Sequence, residues 1–303
     1  MPARVVFMGS PDFALPTLRV LAANYELVGV VTQPDRPAGR GKQLTPPPVK
    51  LLANKLDLPI IQPTRLREPE AMEQLRAWAP ALIVVTAFGQ ILRQEVLDLP
   101  SHGCINVHAS LLPRWRGASP IQAAILTGDA ESGVTIMRMD KGLDTGPILS
   151  QRAIPITHED TAATLSDKLS VLGANLLLET LPAYLAGELK RAPQPEVGVT
   201  SAPILKKSDG ELDPALSADE LARKVRAFNP WPGAFIMWKG QPLKVHRAST
   251  AAAKTQPGQH SIHGGQPCIG TANGWLILDK VQPAGKKPMS GVEFLRGTRN
   301  WIN

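Results

Sequence analysis

Cysteine is almost missing from this chain of 303 residues: Cys104 and Cys268 are the only two, and they lie far apart. Neither belongs to a CxxC pair or a Cys/His cluster, so a structural disulfide and a metal site are both unexpected. Cys104 reads instead as a small buried hydrophobe. No apolar run approaches the roughly 18 to 20 residues that a membrane span needs. A charged-then-apolar leader is also lacking, because Met1-Pro2-Ala3-Arg4 passes directly into the strand pattern Val5-Val6-Phe7-Met8. A cytoplasmic protein with no membrane partner is therefore expected. The glycine fingerprint of dinucleotide-binding folds is absent too. After the first strand stands Gly9-Ser10-Pro11-Asp12-Phe13, with Pro11 where the second glycine would be, which argues against a nicotinamide-dependent dehydrogenase.

Acidic residues run short in one place only. Residues 1–206 carry 20 Lys and Arg against 19 Asp and Glu, whereas residues 207–303 carry 13 against 7. Nearly the whole net charge of +7 thus belongs to the last third, as a small basic module holding a polyanion would require. The hydrophobic content of 43% is enough for a full core, and the length is enough for two domains.

What is present begins as an α/β pattern. The strand at Val5–Met8, the turn at Gly9 and a helix bearing Leu15, Leu18 and Leu21 open a Rossmann-like unit. A second strand follows at Leu27–Thr32. The run Ala81–Ala87 is nearly all apolar and reads as a central parallel strand, preceded by a helix near Glu70–Ala79. Between these, Gln33–Lys50 is so rich in proline and glycine that it predicts a long loop free of helix and ladder. Its bases Arg36, Arg40, Lys42 and Lys50 outnumber the single acid Asp35, so the loop is suited to approach phosphates.

Cys104-Ile105-Asn106-Val107-His108 alternates at the two-residue period of a strand, which points Asn106 and His108 to one face. An amide and an imidazole side by side suit acyl transfer, as oxyanion donor and proton shuttle. Such a pair is also common as a satisfied polar couple at a sheet edge. Further on, Gly133–Met139 is another strand, and it leads into Asp140-Lys141-Gly142-Leu143-Asp144-Thr145-Gly146-Pro147. That turn fixes one carboxylate, although a lone Asp among glycines is more often an Asx-turn. A strand near Pro147–Ile156 and a helix over Asp160–Leu185 close the first domain, 1–188. Pro193, Pro195, Gly198 and Pro203 mark a linker, 189–206.

The second domain, 207–303, opens with a helix whose capping box is Ser217 and Glu220. Short strands follow at Ala234–Trp238, Pro242–Ala248, Gln266–Thr271 and Trp275–Val281, joined by hairpin signals at Lys239-Gly240 and Asn273-Gly274, the latter a type I′ turn. They predict a small β-barrel of OB-like fold, a barrel type that binds nucleic acids. Arg223, Lys244 and Arg247 are its expected RNA contacts. Trp231, Trp238, Trp275 and Trp301 are read as barrel core rather than base platforms.

The string Asn106-Val107-His108, continued by Ser110-Leu111-Leu112-Pro113-Arg114-Trp115-Arg116-Gly117-Ala118-Ser119-Pro120-Ile121, resembles the signature of the 10-formyltetrahydrofolate-dependent formyltransferases. Ala109 departs from it, standing where that family usually carries glycine. Gly9–Phe13, Thr32–Lys42, Gly142–Gly146 and Arg226-Ala227-Phe228-Asn229-Pro230-Trp231-Pro232 extend the likeness over most of the chain. The resemblance implies formyl transfer from 10-formyltetrahydrofolate to the α-amine of initiator methionyl-tRNA, by a bacterial-type monomer that needs no metal. It implies Asn106, His108 and Asp144 as catalytic residues. It further implies Phe88, Gly89, Gln90 and Ser110, Leu111, Leu112, Pro113 against the folate, and Arg40 and Lys42, with Arg36, against the tRNA. Two other readings compete. A small-amine acceptor would not need the basic module, and a purely RNA-binding protein would not need the Asn-x-His and Asp layout.

Overall fold

The structure, a computed structural model, describes residues 3–38, 41, 43–298 and 300–302. The described chain divides into two compact units, one of Met1–Pro120, Ser132–Ile154 and Ser166–Ala202, the other of Ile121–Glu131, Pro155–Leu165 and Pro203–Asn303.

The first unit is built in order from β1 (Arg4–Gly9), α1 (Leu15–Asn24), β2 (Glu26–Val31), β3 (Arg36–Ala38), β4 (Gln43–Thr45), α2 (Pro48–Lys55), β5 (Ile60–Ile61), α3 (Pro69–Ala77), β6 (Leu82–Thr86), α4 (Gln94–Leu97), β7 (Cys104–His108) and β8 (Arg116–Gly117). After α5 (Pro120–Thr127), which from Ile121 on belongs to the second unit, come β9 (Glu131–Arg138), β10 (Ile148–Pro155), α6 (Ala162–Leu185, in the first unit from Ser166) and β11 (Ser201–Ala202). Seven strands form one sheet in the order β10-β9-β7-β6-β1-β2-β5. β5, β2, β1, β6 and β7 pair in parallel, and β9 joins β7 antiparallel. The mainly parallel, Rossmann-like sheet expected from the sequence is therefore present. Val5, Val6, Phe7, Met8, Leu82, Ile83 and Val84 are fully buried, as strands covered on both faces must be. On one face Val6, Met8, Ile83 and Val85 meet Met72, Leu75 and Trp78, so the core lies directly behind the strand ends that carry the site.

In the second unit, α7 (Ala218–Ala227) precedes β12 (Ala234–Trp238), β13 (Gln241–Ala251), β14 (His260–His263), β15 (Gln266–Gly270), β16 (Trp275–Gln282), β17 (Met289–Ser290) and α8 (Gly291–Arg296). Every ladder is antiparallel, in the order β12-β13-β16-β15-β14 with β17 also on β16. No ladder joins β12 to β14 among the described residues, in keeping with the partly open form of an OB-like barrel. Leu243, Val245, Leu276, Leu278 and Val281 pack with Leu221 and Val225 of α7 and with Phe294 and Trp301.

Three expectations change. Gln33–Lys50 is not free of regular structure: β3 pairs with β4, placing Pro37 opposite Leu44, and α2 starts at Pro48. A two-stranded ribbon has open edges where a missing N–H costs nothing, and the first helical position has no N–H partner to lose. The turn at Asn273-Gly274 is not type I′. Gly274 has φ +90° but Asn273 is not left-handed, and Thr271 closes the loop through bonds to the Gly274 carbonyl. Lys239-Gly240 has φ of 49° and 72° and connects Trp238 to its partner Gln241, so the two-residue primed turn stands there. Lastly, Trp301, Trp238 and Trp275 are buried or half-buried, but Trp231 is 53% exposed and is not core. It sits between two cis prolyl bonds, Asn229-Pro230 and Trp231-Pro232, which turn the chain out of α7.

Candidate active site

β7 is flanked by β6 on one side and β9 on the other, so its alternation has two distinct faces. Ile105 and Val107 fill the core, while Asn106 and His108 lie together on the opposite face. His108 is 6% exposed. Its Nε2 stands 3.0 Å from the Trp115 carbonyl oxygen. A carbonyl only accepts, which assigns the proton to Nε2 and leaves Nδ1 facing the Asp144 carboxylate at 3.7 Å.

Asp144 comes from the turn between β9 and β10, at φ 53°. Aspartate is among the few residues that tolerate this left-handed conformation. Gly146 follows for a second reason: a side chain there would run into the Arg138 carbonyl. Two donors hold the carboxylate. The Gly117 amide donates to Oδ2 at 2.8 Å, and Asn106 Nδ2 donates to Oδ1 at 3.3 Å. The His108 ring is the third neighbour, beyond hydrogen-bond distance. The three residues predicted to be catalytic thus meet at one place within the first unit.

The chain after His108 is braced rather than loose. Ser110 Oγ donates to the Arg114 carbonyl, and Thr135 Oγ1 donates to the Ser110 carbonyl while accepting from the Leu112 amide. Gln151 Nε2 donates to the Leu112 carbonyl. Ser110 and Leu112 are consequently buried with their polar atoms satisfied internally, and Leu111 and Pro113 are half-buried. Trp115 is left-handed at φ 62°, a conformation disfavoured for an aromatic residue, and this aims its carbonyl at His108.

The turn after β6 carries the other predicted folate residues. Ala87 and Gly89 have φ of 48° and 80°. Phe88 is buried in the core cluster, and its carbonyl accepts from Gln33 Nε2. The Gln90 amide accepts from the Leu66 amide and donates to the Pro63 carbonyl, so it is spent on holding the turn.

The residues predicted to contact RNA divide. Arg36 is exposed and donates to Gln33 Oε1; Lys50 is paired with Asp35 at 2.8 Å. Arg40 and Lys42 lie outside the described residues. In the second unit, Arg223 Nε donates to the Leu126 carbonyl at the end of α5, so this residue braces the fold. Its neighbours Lys224 and Arg226 are likewise bonded to carbonyls, of Glu211 and Asp160. Lys244 and Arg247 are exposed on β13, and Arg247 stands directly opposite Lys280 on β16.

One part of the site was not foreseen. The stretch read as a linker laces the signature segment in place. β11 pairs in parallel with β8, Trp115 N donates to Thr200 Oγ1, and Arg116 N donates to the Thr200 carbonyl. Gln194 Oε1 accepts from Arg116 Nε and Nη2, and Gln194 Nε2 donates to the carbonyls of Asp144 and Gly146. The available signal was Pro193-Gln194-Pro195 itself, since residues before proline favour an extended backbone.

Comparison with known proteins shows the family of the chain. Residues 3–181 match the formyl transferase family model, and residues 204–299 match the formyl transferase C-terminal domain model. A methionyl-tRNA formyltransferase of Myxococcus xanthus is 50% identical over 295 residues, covering 97% of this chain and 95% of that protein. One from Halorhodospira halophila is 48% identical over 303 residues, covering 99% and 97%. Among solved structures, the sugar 3N-formyl transferase WlaRD superposes with a TM-score of 0.68 at 18% identity, covering 95% of this chain and all of that one. HypX from Aquifex aeolicus in complex with tetrahydrofolic acid gives 0.64 at 18% identity, covering 97% of this chain and 47% of that one. These two likenesses speak to the fold alone. With both halves matched and near-full-length relatives at about half identity, the chain belongs to the formyltransferase family, on the branch of the methionyl-tRNA formyltransferases.

Proposed function

We propose that Asn106, His108 and Asp144 carry the transfer of a formyl group from 10-formyltetrahydrofolate to the α-amine of initiator methionyl-tRNA. The observation that carries this reading is the meeting of an amide, an imidazole and a carboxylate on one face of β7. The reaction needs a neutral amine, a stabilised tetrahedral oxyanion and a proton for the departing folate nitrogen. Asn106 uses one N–H on Asp144 and has a second for the developing oxyanion. His108, oriented by the Trp115 carbonyl, exchanges the proton. Asp144 stands beside the imidazole and takes up, through water, the proton that the attacking amine releases, becoming the neutral acid. The turn 88–90 and the segment 110–113 flank Asn106 and His108 in sequence and are assigned to the folate. Residues 1–188 act as the catalytic domain and 207–303 as the RNA-binding module, with Lys244 and Arg247 on the phosphates. The protein is read as a monomer acting in the bacterial cytoplasm.

The test is formyl transfer from labelled 10-formyltetrahydrofolate to charged initiator tRNA, beside an uncharged control. Asn106→Ala, His108→Ala and Asp144→Ala are each expected to lower kcat by about two to three orders of magnitude, the usual worth of a transition-state donor. Wild-type turnover in all three would remove the assignment.

A further inference from the structure

The segment between α6 and β11 presents a polar residue where solvent should have claimed it. From residue 191 to residue 199 every side chain is exposed except Gln194. All four of its hydrogen-bonding positions are used: two lone pairs take Arg116 Nε at 3.0 Å and Nη2 at 2.7 Å, and the two N–H groups give to Asp144 O and Gly146 O, each at 2.8 Å. Two residues earlier, Ala192 pairs its N–H and carbonyl with Ile148, which anchors the approach.

These bonds close a ring around one carboxylate. Gln194 holds the Asp144 backbone, and it also holds the guanidinium of Arg116. The residue after Arg116 is Gly117, whose amide donates to Asp144 Oδ2. Gly117 is itself set by the same strap, since its φ of 117° and the Ala202 carbonyl 2.6 Å from where a Cβ would lie admit glycine alone. The carboxylate is therefore gripped at its backbone and at its oxygen by one frame. Asp144 also sits in a left-handed conformation, which has to be maintained by its surroundings.

We infer that Gln194 is a positioning residue for the transfer reaction, acting through Asp144. It never needs to touch either substrate; its amide N–H groups fix where the carboxylate stands relative to His108 and Asn106. The inference rests on the assignment of Asp144 as catalytic. A displacement of about 1 Å in such a frame is enough to cost about 10²-fold in rate.

Two variants separate the halves of the amide. Gln194→Met keeps length and packing but makes none of the four bonds. Gln194→Glu keeps the acceptor for Arg116 and loses both donors, setting carboxylate oxygen against two carbonyls. Initial rates of formyl transfer with both substrates varied are to be measured for each variant, for Asp144→Ala, and for the double variants, alongside thermal unfolding of each full-length protein. Both Gln194 variants are expected to lose kcat about 10²-fold, with either KM changed less than about 3-fold, because the lost interaction acts in the transition state. In the Asp144→Ala background, the same changes are expected to lower kcat by less than about 3-fold, because residues acting as one unit are not additive.

Wild-type turnover in Gln194→Glu would overturn the inference, since the bond that mattered would then be the one to Arg116. Effects that multiply fully with Asp144→Ala would overturn it as well, by showing a general structural role. Should Gln194→Met fail to fold, Gln194→Glu and its double variant carry the same decision. Full activity in Asp144→Ala would instead remove the assignment of the site, a result distinct from failure of the Gln194 variants alone.

Discussion

At the scale of single residues, the chemistry of the site depends on a few side chains held by backbone groups. His108 has its proton placed by one carbonyl, and the Asp144 carboxylate is set by one peptide N–H. The two cysteines show the opposite condition. Burial pushes the Cys104 thiol up to about 12 and the Cys268 thiol up to about 11. Since only the thiolate is nucleophilic, both are inert near neutrality. The folded protein is expected to resist iodoacetamide over pH 7–9, whereas the unfolded chain takes up two labels. Mass analysis of native and denatured samples checks this, and fast labelling of native Cys104 would contradict its place in the core. That burial was readable from the sequence, because Cys104 heads an apolar strand and has no partner base nearby.

At the scale of elements, capping boxes give a direct link from sequence to stability. Ser217 and Glu220 start α7, and Ser290 and Glu293 start α8, each pair bonded reciprocally. Donation from the Ser217 hydroxyl, then its amide, holds the Glu220 carboxyl below its ordinary value of 4.5. For Glu293 the Ser290 amide leads and the hydroxyl follows. A carboxyl with a lowered folded pKa stabilises above its ordinary value, and that contribution is lost as the pH falls from there through the lowered folded value. Ser217→Ala is expected to cost about 1 kcal/mol at pH 7. Its deficit against the parent chain should shrink toward pH 3, as followed by thermal unfolding; a deficit unchanged with pH would refute the reciprocal cap. The first box was legible as Ser-x-x-Glu ahead of an apolar stripe. By contrast, the ribbon of β3 and β4 was hidden, because its prolines argue against a ladder unless the ribbon is known to have open edges.

At the scale of the whole molecule, charge is partitioned along the chain. Residues 207–303 carry 13 Lys and Arg against 7 acids, yet several of these bases are committed to the fold: Arg223, Lys224 and Arg226 all donate to backbone carbonyls. Among the exposed bases of this module, Lys244, Arg247 and Lys280 lie on the neighbouring strands β13 and β16. Affinity for initiator tRNA is expected to fall steeply as salt rises, through release of counterions. Lys244→Ala and Arg247→Ala should each weaken binding and reduce the slope of log K against log salt by about 1. Arg223→Ala should instead act mainly on thermal stability. Filter binding across a salt series tests both, and an unchanged slope in the β13 variants would remove that strand from the interface.

Whatever depends on neighbouring residues was legible before folding. A period of two placed Asn106 and His108 on one face, continuous apolar runs marked β1 and β6, and Ser-x-x-Glu marked the start of α7. Glycines beside Asp144 signalled a turn able to fix a carboxylate. Only the tertiary structure decided how that carboxylate is held. Gln194 lies 50 residues from Asp144 and 78 from Arg116, and a segment of prolines and polar residues looks the same whether it hangs in solvent or laces a site. Local pattern reports the preferences of the backbone, whereas hydrogen bonds across such distances exist only once the chain has closed around them.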